Sequence, residues 1–149
     1  MRLGRTMVPV TLALATVAAL TTLAACSSSN DNSPTVVDLS GTYTMTEYAQ
    51  GASTGTAPVP VPAPDGSGAT LTAADYNILI NYPGAPFTSV GTYTAKSDGT
   101  FTQESTSPAG VQCTGTWVRS GGTGVGSTLT LDATCPIVSA RSIAVLTKN

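Results

Sequence analysis

The chain has no histidine among its 149 residues. That absence removes every Ser-His-Asp and Cys-His catalytic arrangement, and every histidine-based zinc or copper site. Charge is scarce too, with six Lys and Arg and eight Asp and Glu making up 9% of the chain. Two of the basic residues are Arg2 and Arg5, so beyond them only Lys96, Arg119, Arg141 and Lys148 face the eight acids. No basic surface for nucleic acid can be assembled from that set. A catalytic carboxylate pair would have to come from Asp38, Glu47, Asp65, Asp75, Asp98, Glu104 and Asp132. Most of these stand beside glycine or in turn-like settings, where aspartate is ordinary turn chemistry. Neither SGGTGVGS nor DGSG leads into Lys-Ser/Thr and a helix, so neither is a phosphate loop. The expectation is a protein without enzymatic activity, metal or cofactor.

What is present begins with an address. Arg2 and Arg5 precede a run from Met7 to Leu23 that is mostly Ala, Val, Leu and Thr and holds no acid. This is the layout of an export signal. Pro9 and the threonines weaken a run already short for the roughly 20 apolar residues of a membrane-spanning helix. The run ends in Leu23-Ala24-Ala25-Cys26, which resembles the bacterial lipobox. That resemblance implies cleavage before Cys26 and a diacylglyceryl group on its sulfur. One acyl chain anchors marginally while two or three hold stably, since each buried CH₂ contributes about 0.8 kcal/mol. The expected organisation is a lipoprotein signal peptide over 1–25, a lipidated cysteine and flexible tether over 26–36, and one β-domain over 37–149. The only partners expected are a membrane, through the anchor, and a small hydrophobic ligand.

Thr, Ser, Gly and Val dominate the remainder, which favours strands and turns. In LSGTYTMTEY, Tyr43 and Met45 alternate with threonines, the period of a half-buried strand. Pro58, Pro60, Pro62 and Pro64 mark Ala57 to Gly68 as an extended surface loop. In TLTAADYNILINYP, Thr72 and Asp75 have capping-box spacing, yet Tyr76, Ile78, Ile80 and Tyr82 also alternate with Asn77, Leu79 and Asn81. The expectation there is a turn or short helix followed by a strand.

Two hairpins can be registered. Ser97-Asp98-Gly99 suits a type I turn closed by a left-handed glycine, which pairs Ala95 with Phe101 and puts Tyr93 and Phe101 on one face. Outside the cytoplasmic membrane, Cys113 and Cys135 are expected to form a disulfide. Setting them opposite each other pairs Trp117 with Leu131, Arg119 with Leu129 and Thr116 with Asp132. The cystine, Trp117 and both leucines then share a face, and a slip of one residue would scatter them.

Gly41-Thr42-Tyr43-Thr44, Gly91-Thr92-Tyr93-Thr94 and Gly115-Thr116-Trp117-Val118 share a pattern at spacings too unequal for a solenoid. Their order, with the GTYTAKSDGTFT hairpin, GTWVRSG, STLTLDA and a closing IAVLTKN, resembles the bacterial lipocalin-like lipoproteins. The resemblance implies an all-β fold, a small antiparallel meander or barrel of about seven to eight strands. Two readings of its use stand open. The barrel holds a small apolar ligand, in a cavity lined by Tyr43, Tyr93, Phe101 and Trp117. Alternatively these four residues fill a solid core and the chain is an interaction or inhibitor lipoprotein, as the lysozyme-inhibitor barrels are.

Overall fold

The computed structural model describes residues 33–149, so Cys26 and the expected signal segment lie outside the described residues. Ten strands form one antiparallel sheet: β1 (Val36–Val37), β2 (Gly41–Ala52), β3 (Val61–Pro62), β4 (Gly68–Leu71), β5 (Asp75–Ile80), β6 (Phe87–Lys96), β7 (Thr100–Ser107), β8 (Ala109–Ser120), β9 (Thr128–Cys135) and β10 (Ala140–Lys148). A single 3₁₀ turn, Pro136–Val138, is the one helical element among the described residues.

Strand β2 and strands β4 to β10 pair each with the next, and β10 pairs back onto β2. The result is a closed eight-stranded up-and-down barrel with no open edge, which removes the hazard of unpaired strands. The two short strands extend the wall. β1 pairs with β6 beyond the end of β5, and β3 pairs with β2 beyond the end of β4. The proline-rich loop is thus stitched to the barrel through Val61 and Pro62.

Both registered hairpins are present as expected. Ala95 faces Phe101, Gly99 has φ +82° and its N–H donates to the Lys96 carbonyl at 3.0 Å. Trp117 faces Leu131, Arg119 faces Leu129, Thr116 faces Asp132, and Cys113 is bonded to Cys135. The segment with capping-box spacing is a turn and strand without a helix. Asp75 N–H donates to Thr72 Oγ1 at 3.0 Å and Thr72 N–H donates to the Asp75 carbonyl at 2.9 Å, closing the β4–β5 hairpin.

The interior is filled unevenly. At one end, Leu39, Leu129 and Leu146 are fully buried, with Tyr43, Leu71, Tyr76 and Tyr93 around them. Fully burying each leucine contributes about 1.5–3 kcal/mol. The lead-in segment carrying Leu39 closes this end as a cap. The Tyr43 hydroxyl donates to the Leu39 carbonyl at 2.7 Å, and Lys148 Nζ donates to the Ser40 carbonyl at 3.0 Å. On the outer wall Arg141 makes a two-pronged pair with Asp132, at 2.9 and 2.6 Å. That guanidinium holds the Asp132 carboxyl below its ordinary range.

Candidate functional site

The other end of the barrel is hollow. A cavity of about 290 Å³ opens there, between the β2–β3, β5–β6, β7–β8 and β9–β10 connections. Its cause lies in the sizes of the inward residues. Along β10 the inward series runs Leu146, Ala144, Ser142, Ala140, and along β9 it runs Leu129, Leu131, Ala133, Cys135. Large side chains stand at the closed end and small ones toward the mouth. A barrel of eight strands is only just wide enough for side chains to fill, so this taper leaves room for one small molecule.

The walls are mostly apolar: Met45, Ile78, Ile80, Phe101, Val111 and the Cys113–Cys135 bridge are among them. The serine hydroxyls on the wall are largely spent on neighbours. Tyr76 Oη and Ser89 Oγ lie 3.2 Å apart, Ser89 Oγ and Ser105 Oγ 3.3 Å apart, and Ser105 Oγ reaches the Val90 carbonyl at 3.3 Å. Among the described residues, no Asp, Glu, Lys or Arg lines the cavity.

Two lining residues owe their inward position to a bulge. In the β2–β10 pairing, Leu146 faces Met45 while Val145 faces Glu47, so Thr46 is the extra residue. A bulge shifts the phase of a strand. Tyr43 and Met45 point inward before it, Tyr48 and Gln50 after it. The Tyr48 hydroxyl donates to Gln50 Oε1 at 3.3 Å, and burial pushes the Tyr48 phenol up to about 12.

The four expected aromatic residues divide. Phe101 lines the cavity, whereas Tyr43, Tyr93 and Trp117 do not. They finish the closed end: the Tyr93 hydroxyl donates to the Thr72 carbonyl at 2.7 Å and Trp117 Nε1–H to the Lys96 carbonyl at 2.9 Å. Trp117 is half-buried beside the β6–β7 turn, and so is remote from the mouth. The sequence reading missed Gln103, Tyr48 and Gln50. Gln103 was within reach of it, because the β6–β7 register sets Gln103 opposite inward Tyr93.

The rim continues the apolar character. Val59, Val61, Tyr82, Phe87, Ile137 and Val138 are exposed in the strands and connections around the mouth. The connections 53–60, 81–86 and 136–139 contain no charged residue. Asp38, Lys96, Asp98, Arg119 and Lys148 all gather at the closed end.

The described residues thus form an eight-stranded barrel that is capped at one end and hollow at the other, and barrels of this size either fill with side chains or leave room for one small ligand. Compared with protein-family models, with curated proteins and with solved structures, the chain matches none.

Proposed function

We propose that the chain is a lipid-anchored lipoprotein of the bacterial cell envelope, held outside the cytoplasmic membrane. Its lipocalin-like barrel takes up a small apolar ligand through the open end. The cavity carries this reading: about 290 Å³, apolar, without charge, and reached through an apolar rim. It sits at the lower edge of the roughly 300–1,000 Å³ range of ligand pockets, which restricts the ligand to a single chain or small ring system. The lipobox at Leu23 to Cys26 supports the anchor. Thr35 is tied to Ser97 at the closed end, its N–H donating to Ser97 Oγ at 3.0 Å. The described chain therefore enters the barrel at the end opposite the mouth.

The test titrates the barrel with a neutral apolar dye, using residues 33–149, which lie in one compact unit with its own core. Saturable one-to-one binding is expected. Ala144→Phe and Ala133→Phe, both buried lining positions, should each weaken it at least tenfold without lowering the melting temperature by more than a few degrees. Absent binding, or binding indifferent to both substitutions in folded protein, contradicts the ligand reading. Intact mass of the full protein extracted from the envelope should show a chain beginning at an acylated Cys26, and an unacylated chain contradicts the anchor.

A further inference from the structure

Two polar side chains of the cavity wall, Gln103 and Ser142, make no hydrogen bond with another described residue, and Gln103 is the one that also reaches the inner void. On β7, Phe101, Gln103 and Ser105 alternate inward. Ser105 is satisfied by Ser89 and the Val90 carbonyl. The Gln103 amide makes no hydrogen bond with another described residue. It stands deep in the barrel, touching both the main cavity and a void of about 20 Å³ that lies toward Leu39 and Tyr93. A primary amide offers two N–H donors and a two-lone-pair acceptor, and an apolar wall satisfies none of them. The aliphatic and aromatic neighbours Ile78, Phe101 and Leu131 supply nothing in exchange.

We propose that Gln103 is the hydrogen-bonding anchor for an uncharged amphiphile, an aliphatic chain or small ring ending in a hydroxyl, carbonyl or amide, bound with that end inward. This rests on the ligand reading of the cavity given above. The absence of charge in the wall sets the class. A carboxylate or phosphate drawn to that depth would lose its water and meet no cation, whereas a neutral hydroxyl loses little and gains Gln103 as donor and acceptor. The apolar remainder of such a ligand lies toward the mouth, against Ile80, Phe87 and Val138.

The experiment displaces the neutral dye from residues 33–149 with octanol and with octane, in the wild type, Gln103→Leu and Gln103→Met. The readout is the ratio of octanol to octane affinity, which cancels the shared burial of the chain. Losing one neutral hydrogen bond should lower that ratio about tenfold in both variants, and octane itself should bind no worse to them. A ratio unchanged in both folded variants overturns the anchor and leaves the cavity reading standing. If neither probe displaces the dye from the wild type, the cavity reading fails and this assignment falls with it.

Discussion

Gly115→Ala is expected to destabilise the barrel by about 3 kcal/mol, the upper part of the range for overpacking a tight interior. A Cβ at position 115 would stand 2.0 Å from the Asp132 carbonyl oxygen and 2.8 Å from Phe101 Cε1. The first of these is backbone of the neighbouring strand, held by the pairing of Thr116 with Asp132 and Gly115 with Ala133. It cannot withdraw without opening the β8–β9 ladder. Gly91 stands in the same relation to β7, its Cβ position lying 2.0 Å from the Glu104 carbonyl oxygen. The physical meaning of the recurring Gly-Thr-aromatic segments follows. A side-chain-free residue lets the strand bend against its neighbour, and two residues later an aromatic side chain, Tyr93 or Trp117, closes the capped end. Gly124→Ala is the control, since nothing lies within 4 Å of its Cβ position, and it should change stability by no more than about 0.5 kcal/mol. Urea unfolding of the two variants checks this. Equal midpoints would show that the strands do not approach so closely.

Loss of the Cys113–Cys135 bond should be of similar size. The bond closes a loop over a separation of 22 residues, and removing a native disulfide from a small secreted domain typically costs 2–5 kcal/mol, about 3 for a loop of this length. The double variant Cys113→Ala, Cys135→Ala should therefore melt roughly 10–20 °C lower. The bridge is also cavity wall, so the same variant should bind the neutral dye more weakly at a temperature where it is still folded. Thiol labelling of the unfolded, unreduced wild type should modify neither cysteine. Labelling of both, with a melting point that reductant leaves unmoved, would contradict the bridge.

These two effects also show what the sequence carried. The β8–β9 register was legible because a covalent constraint and the hydrophobic alternation demanded the same alignment. The β6–β7 register was legible because Asp98 and Gly99 specify one turn geometry, with Asp98 Oδ1 accepting from the Thr100 N–H at 2.9 Å. Around Thr72 local chemistry was ambiguous. An Asp75 N–H bonded to Thr72 Oγ1 serves a helix start and a tight hairpin equally well, and only the pairing of β4 with β5 decides. The hollow was least legible. Aromatic residues drew attention as cavity walls, but the space exists where side chains are small, at Ala133, Ala140, Ser142 and Ala144. Small residues leave no periodic signal. The bulge at Thr46 then brings Tyr48 and Gln50 inside by reversing the alternation that Tyr43 and Met45 begin.

The hollow half of the barrel is tested most directly by crystals of residues 33–149 grown with octanol carrying bromine at its far end. Anomalous scattering locates the bromine without reference to any assumed pose. The expected result is one strong peak inside the barrel, toward the mouth between Ile80, Phe87 and Val138, with the hydroxyl at Gln103. Peaks confined to the outer surface, with the interior closed over by side chains, would contradict it.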